Sequence, residues 1–532
     1  MTTRADAGSR GAVRGRGRNV RKWKARRPGK GEGPVLPAPP NDREKLTYLD
    51  RHLPYLTLII IIGNGSVVAS QIALEIGFHF WVLVPYTALT VAYLSISLAT
   101  NFIGRGFDYQ EHRKLVDSWH PRVYPRVDIY LPICGEPLDI LRNTWMHVFE
   151  LVHTYPGVAT AYVLDDGDSP EARKMARYFS FAYTVRPNRG WYKKSGNLRY
   201  AFENTTGDLF VILDADFAPR ADFLNETVPY FDEPRLGILQ TPQFFRTDAR
   251  QTWVERAAGA VQEIFYRSMQ VTRDALGASI CVGTCAIYRR SCLAQEGGTT
   301  LIAYAEDVHT GLDARRNGWD LRYIPVALST GICPEDVDTF VRQQYRWCTG
   351  STSTLLTSRL WTVPMSVRAR LSYVSGFLYY FYTGVALFAG PMVPILLLAT
   401  IQQHIQPRDY LLLAPALING MVLYPVWHRC DYGPSTWPLA IVRGWAHVLA
   451  FWDFCRGSIM QWQTSGAKVN PVRRLWIGLV VWNCGTAAAW LGLAAWRIYQ
   501  YGPGRFWVIA LFGLVYAGTV IKIFIPVRKD EQ

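Results

Sequence analysis

Three acidic groups stand in order along this chain: Asp165-Asp166-Gly167, Asp214-Ala215-Asp216 and Glu306-Asp307. A Gln-x-x-Arg-Trp string follows, made of Gln343, Arg346 and Trp347. Two aspartates one residue apart at a strand end can hold a hard divalent ion such as Mg2+ or Mn2+, which prefers carboxylate oxygens and keeps positions open for phosphates. A metal-bound diphosphate is then a good leaving group. Each group also has a plainer reading. Asp-x-Asp arises at Asp-capped helix starts, Asp165-Asp166 suits a turn before Gly167, and Glu306-Asp307 suits a solvated helix start. Their conjunction in this order, with the Gln-x-x-Arg-Trp string and an apolar region behind it, favours chemistry.

The elements that must position these residues are legible around them. Residues Val127–Ile133, 160–164 and 209–213 are short apolar runs that read as parallel strands buried on both faces, each ending in a polar cluster. Helix-like stretches separate them, at Leu138–Thr154, 171–178 and 195–203. Ligands of such a sheet bind beyond the carboxyl ends of its strands, where the first two acidic groups lie. The reading is an α/β domain over residues 105–360.

Hydrophobic residues make up 49% of the chain and charged residues 19%, and the apolar ones are gathered into long runs, as in an integral membrane protein. About 20 apolar residues at ~1.5 Å each cross a hydrocarbon layer of roughly 30 Å. Spans are predicted at 54–75, 78–100, 372–401, 409–428, 475–496 and 506–526. The stretch 441–463 is interrupted by Arg443, His447, Asp453 and Arg456, and is expected to be interfacial, with Trp445, Trp452, Phe454 and Trp462 at headgroup level. Loops expected outside are short and poor in Lys and Arg, so the soluble region and both termini are expected to be cytoplasmic.

The net charge of +15 is no sign of nucleic-acid binding, because residues 1–30 hold eleven basic residues against Asp6 and so carry ten of the fifteen excess charges. A tail of this composition cannot bury enough apolar surface to order itself, and residues 1–42 are expected to be disordered, holding the cytoplasmic side of the topology. No cleavage site for a secretory signal follows it. Nine cysteines without a C-x-x-C pair are expected to be free, buried thiols.

With these motifs on the page, the chain resembles the membrane-integrated processive family-2 glycosyltransferases, most of all the catalytic subunit of cellulose synthase and its relatives. The resemblance runs over residues 105–360 motif by motif: the spaced aspartates, Lys194-Ser195-Gly196-Asn197-Leu198, Gln240-Thr241-Pro242-Gln243-Phe244-Phe245, Cys281-Val282-Gly283-Thr284-Cys285, Pro334-Glu335-Asp336 and the Gln-x-x-Arg-Trp string. It departs at Cys134-Gly135-Glu136, where many relatives carry Tyr-Asn-Glu, and at Ala305, where a threonine is usual. The family's gating segment falls at 464–472.

The resemblance implies a nucleotide-sugar-binding domain of the GT-A type within a bundle of about six spans. It divides the chain into a tail (1–42), two N-terminal spans (43–104), the transferase domain (105–360) and interfacial helices with about four further spans (361–532). It assigns Asp165 or Asp166 to the nucleoside, Asp214 and Asp216 to the diphosphate and to Mg2+ or Mn2+, and Lys194 to the same phosphates. Glu306 and Asp307 form the catalytic pair. Asp307 is the expected general base, since an acceptor hydroxyl must lose its proton as the new bond forms. An indole offers a flat apolar platform for the acceptor sugar, which suits Trp347, while Arg346 can meet charge on the diphosphate and Gln343 can bond sugar hydroxyls.

The expected reaction is inverting, processive transfer of a sugar, glucose from UDP-glucose first among candidates, onto a β-linked polysaccharide that is moved across the cell membrane. Chitin, hyaluronan or β-1,3-glucan synthesis, and non-processive loading of a lipid carrier, are the alternatives. Expected partners are the UDP-sugar, the polymer, the bilayer and accessory or outer-envelope subunits, with no nucleic acid. With about six residues after the last span, the cyclic-dinucleotide-binding barrel of some bacterial relatives is not expected. Tyr379, Tyr380, Phe381 and Tyr382 can line a channel, although lipid contact is expected for most span aromatics.

Overall fold

The structure, a computed structural model, describes residues 35–526 apart from 51–52, 103, 105, 248–249, 429, 431–432 and 461–469. The described residues form nine strands: β1 (Val127–Ile133), β2 (Ala159–Asp165), β3 (Ala182–Thr184), β4 (Leu209–Ile212), β5 (Phe217–Pro219), β6 (Leu236–Gln240), β7 (Ala286–Arg289), β8 (Asp320–Tyr323) and β9 (Ser329–Gly331). Seven of them make one sheet in the order β3-β2-β1-β4-β7-β6-β8, and β5 pairs with β9.

β1 lies parallel to both β2 and β4, so the carboxyl ends of these three strands share one edge. β7 runs antiparallel to β4 and to β6, with Ala286 opposite Ile212 on one side and Gln240 on the other. The start of β7 and the end of β6 therefore reach that same edge. Five strand ends gather there, and each is followed or preceded by polar residues. Apolar runs buried on both faces build this core, and Tyr130, Phe210 and Tyr288 stack across β1, β4 and β7 with centroids 4.9 Å apart at each step. Helix Leu138–Thr154 buries Ile140, Leu141, Thr144, Trp145, Val148 and Leu151 at helical spacing. Asn197 ties helix Lys193–Asn204 to the end of β2 by donating to Leu164 O at 2.8 Å.

Among the described residues, six helices are long and apolar enough to cross a membrane: Pro54–Phe78, Trp81–Asn101, Val367–Thr400, Pro407–His428, Arg473–Tyr501 and Pro503–Phe524. They coincide with the six expected spans, and the chain is a multi-pass membrane protein with an α/β domain between its second and third spans. Helix Thr436–Cys455 is shorter than the expected 441–463 at its end and lies along Val367–Thr400, with Phe451 against Phe377 and Phe381, and His447 Nδ1 2.5 Å from Thr383 Oγ1. Trp452 is exposed, in keeping with an interfacial position, but Trp445 is not at a surface: it is buried and donates to Asn483 Oδ1 at 2.7 Å.

The structure corrects one other expectation. Residues 35–42 were expected to belong to a disordered tail, yet this segment is fastened to the α/β domain. Asn143 donates to Pro37 O at 2.8 Å, Arg220 to Pro40 O at 2.6 Å, and Asn41 caps the short helix Asp42–Lys45. The clasp continues with Glu44 gripped by Arg246 at 2.6 and 2.7 Å, and Lys45 Nζ 2.6 Å from Glu226. Prolines pre-set an extended backbone whose carbonyls need outside donors, and the arginines supply them. Of the four aromatics named as able to line a channel, three make ring contacts within the bundle. Tyr382 stacks on Tyr86 and Tyr93, Tyr379 lies by Tyr93 and His447, and Tyr380 meets His447 edge-on, which leaves Phe381 as the exposed member of the four. None of the nine cysteines is in a disulfide, and only Cys281, Cys285, Cys292, Cys333 and Cys348 are buried.

Candidate active site

β4 runs out into Asp214-Ala215-Asp216, and the turn is held from both sides. Thr284 Oγ1 accepts the Asp214 N–H at 2.9 Å, and Thr144 donates to Ala215 O at 2.7 Å. Lys194, in the first turn of helix Lys193–Asn204, donates to Asp214 Oδ1 at 2.6 Å and to Gly283 O at 3.2 Å, and stands 3.9 Å from Glu306 Oε1. Burial alone would lower its pKa, but Asp214, Glu306 and Asp307 outweigh it and hold the ammonium charged.

Gln240 at the end of β6 fixes the loop 281–285. Its Oε1 accepts the Val282 N–H at 2.9 Å, and its Nε2 donates to Thr241 O and Thr284 O at 2.8 and 2.9 Å. Within that loop Gly283 has φ +78°, and a β-carbon there would stand 2.9 Å from Asp307 Cβ. Glycine is thus required both by the backbone and by the carboxylate packed on it. Asp307 Oδ1 accepts the Val308 N–H at 2.8 Å at the start of helix Glu306–Arg316. Burial, then the charge of Glu306, push the Asp307 pKa up to about 7 against the opposing pull of that N–H and of Lys194. Burial likewise pushes Glu136 up to about 7, aided by Asp216 and Asp214 and opposed by the Cys134 N–H it accepts at 2.6 Å.

Helix Val337–Leu356, capped by Asp336, carries Gln343, Arg346, Trp347 and Gly350 on one face by its i, i+3, i+4, i+7 spacing. A β-carbon on Gly350 would lie 2.6 Å from Ala305 Cβ, so this face sits directly on the residue before Glu306-Asp307. Ala305 itself holds a left-handed φ of +54°. Arg346 has an accessible side chain, yet enclosure by protein lowers its pKa against the opposing influence of Asp214, Asp216, Glu306 and Asp307. Accessible and enclosed at once is the environment of a side chain lining a recess. Gln343 Oε1 is buried with no hydrogen-bond partner, and Trp347 is half-buried.

Glu136, Asp214, Asp216, Glu306, Asp307, Lys194 and Arg346 therefore surround one place, and Gln343 and Trp347 share the helix face of Arg346. Asp165 does not join them. It is 0% exposed and its carboxylate is consumed by the N–H groups of Gly167, Asp168 and Ser169 at 2.7, 3.0 and 2.9 Å and by the Tyr183 hydroxyl at 2.5 Å. Of the two aspartates expected at the nucleoside, Asp165 is thus engaged in holding the turn. Asp166 stands at the edge, paired bidentately with Arg186 at 2.5 and 2.6 Å. Of the expected gating segment, 464–469 lie outside the described residues; Arg342 donates to Asn470 O at 2.9 Å and Val472 N to Asp338 at 2.6 Å. Sequence reasoning missed Thr284, Gln240 and Arg186 as supports, and noted Glu136 only as part of a departure.

The carboxylates here are Glu136, Asp214, Asp216, Glu306 and Asp307, against the cations Lys194 and Arg346, so the site has negative charge to spare. Among the described residues no three His, Cys, Asp or Glu side chains group tightly enough to hold an ion by themselves. Two protein carboxylates with the remaining positions left to phosphate and water suit Mg2+ or Mn2+.

Residues 209–423 match the family described as Glycosyl transferase family group 2. The cellulose synthase 1 catalytic subunit (UDP-forming) of Komagataeibacter xylinus is 32% identical over 235 residues, which cover 43% of this chain and 31% of that protein. The cellulose synthase catalytic subunit (UDP-forming) of Pseudomonas fluorescens is 27% identical over 346 residues, 62% of this chain and 46% of that protein. The matches span less than half the length of these relatives. Among solved structures, a mannosyltransferase from Pyrobaculum calidifontis in complex with GDP-Man and Mn2+ has 17% identity and a TM-score of 0.47, covering 69% of this chain and 98% of its own. Residues 209–423 thus resemble family-2 glycosyltransferases, and the chain resembles cellulose synthase catalytic subunits, in line with its motifs.

Proposed function

We propose that this chain is a hexosyltransferase of the polysaccharide-synthase kind, which adds sugar from a UDP-linked donor, glucose first among candidates, to a β-linked polymer and passes the product into its own membrane bundle. The observation that supports the reading is the seat of Gly350 on Ala305, because it sets the helix face that carries Arg346 and Trp347 on the residue before Glu306-Asp307.

The residues divide the work as follows. Lys194 and Arg346 supply positive charge to the donor diphosphate, and Gln343 offers its unpartnered buried oxygen to a sugar hydroxyl. Trp347 supports the acceptor ring. Asp307, poised near neutrality, takes the acceptor proton as the glycosidic bond forms, and single displacement inverts the anomeric centre. A divalent ion held by Asp214 and Asp216 would neutralise charge on the departing diphosphate. Helix Val337–Leu356 packs on Thr436–Cys455, where Tyr345 donates to Asp453 at 3.0 Å, and that helix lies along a span, so the acceptor platform connects directly to the bundle. The basic tail and loops support a cytoplasmic placement of the domain and both termini in the cell membrane.

The test uses the full chain in nanodiscs, offered radiolabelled UDP-glucose, UDP-N-acetylglucosamine or UDP-glucuronate with Mg2+ or Mn2+. High-mass label from UDP-glucose that a β-glucan hydrolase releases, and that chelation prevents, is the expected result. Transfer from another donor alone would replace glucose, and label confined to a lipid extract would overturn processive synthesis.

A further inference from the structure

Arg186 lies outside the expected set of functional residues, and the reading above gives it no task. It is 1% exposed, follows β3, and spends its whole guanidinium inside the domain. Nε and one terminal nitrogen grip both oxygens of Asp166 at 2.5 and 2.6 Å. The remaining donors go to backbone, Trp191 O at 2.6 Å and Lys193 O at 3.0 Å.

Those two carbonyls flank an unusual turn. Tyr192 and Lys193 have φ of +48° and +49°, two successive non-glycine residues in the left-handed region. Such conformations persist only where the surroundings over-determine them. Gly196 shows how closely they do: a β-carbon there would fall 2.1 Å from Trp191 O and 2.5 Å from the Arg186 guanidinium. The turn then launches helix Lys193–Asn204, whose second residue is Lys194. One buried side chain thus ties the acid at the end of β2 to the turn that delivers the lysine paired with Asp214.

We propose that Arg186 is a positioning residue for a nucleoside diphosphate, locking Asp166 and Lys194 into one unit so that the nucleoside and diphosphate ends of the ligand meet groups at a fixed spacing. The inference rests on the donor reading above. Arginine suits the task where lysine would not, since its planar fork can hold a carboxylate bidentately while its other N–H groups hold carbonyls.

The experiment measures binding of UDP with Mn2+ by calorimetry, together with donor KM, kcat and unfolding temperature, for full-length Arg186→Lys, Lys194→Ala and the double variant. Arg186→Lys is expected to weaken UDP binding and raise donor KM by about tenfold or more, as misplaced binding groups do, with kcat much less affected. In the Lys194→Ala background the same change should weaken binding by a smaller factor, because the group it positions has gone. Unaltered UDP affinity in a folded Arg186→Lys protein would overturn the inference, as would losses that simply multiply in the double variant. If Arg186→Lys does not fold, Asp166→Asn reads the same link, since it keeps the side-chain shape and removes the charge Arg186 grips; failure of both to fold would assign Arg186 to architecture alone. A wild-type protein that binds no UDP would instead sink the donor reading.

Discussion

Gly350 and Ala305 touch so closely that a β-carbon on the glycine would stand 2.6 Å from that of the alanine. Ala305 also bears a left-handed φ of +54°, so a single contact sets both the seat of helix Val337–Leu356 and the approach to Glu306. Gly350→Ala is expected to cost about 1–3 kcal/mol through overpacking and to reduce transfer as the helix lifts. Adding Ala305→Gly vacates the space and relieves the left-handed strain. The double variant should therefore recover unfolding temperature and activity relative to Gly350→Ala. Additive losses would mean that the two residues do not share this contact.

Asp307→Asn keeps the shape of the side chain and removes the base. Sugar transfer should fall by about 10²–10⁴-fold, the usual contribution of general-base catalysis, while calorimetric binding of UDP with Mn2+ stays close to wild type. Retained transfer would remove Asp307 from the chemistry.

The pH profile follows from the raised pKa. Asp307 must be deprotonated to accept a proton, and with its pKa near 7 the ionised fraction rises tenfold per unit below that value and levels above it. The rate kcat/KM is therefore expected to climb through an acid limb centred at about 7, far above an ordinary aspartate. Glu136 is pushed up to about 7 as well, so Glu136→Gln separates the two. Persistence of the limb in that variant assigns it to Asp307, and its disappearance assigns it to Glu136.

Asp453, buried in helix Thr436–Cys455, is gripped by Arg474 at 2.6 Å on each oxygen and accepts from Tyr345 at 3.0 Å. Arg474→Ala leaves that carboxylate with one neutral donor and, with the arginine half exposed, is expected to cost about 1–2 kcal/mol, read as a lower unfolding temperature in detergent. Asp453→Asn in the same background should return part of the loss.

What could be read in advance follows from where the information lies in the chain. β1 announces itself because Val127–Ile133 is buried on both faces and so nearly all apolar, and the spans announce themselves by length. β7, β8 and β9 span three or four residues each, too few for a period to emerge. The acidic groups were visible as types, but Asp165 and Asp214 were indistinguishable until burial separated a carboxylate spent on three backbone N–H groups from one facing Lys194. Arg186 escaped, and Ala305 showed only as a departure from a usual threonine, for the same reason. Their meaning rests on partners 20 and 45 positions away, Asp166 and Gly350, and local composition carries no trace of either pairing.

The fastening of residues 37–45 bears on how this protein can be shortened. A version starting near residue 35 sheds the arginine-rich leader and keeps Pro37, Pro40, Glu44 and Lys45 in place. One starting at residue 47 strips Arg246 of Glu44, takes Pro40 O from Arg220 and leaves Glu226 without its lysine, so any inactivity it showed would report injury to the enzyme's body and say nothing about what the leader does.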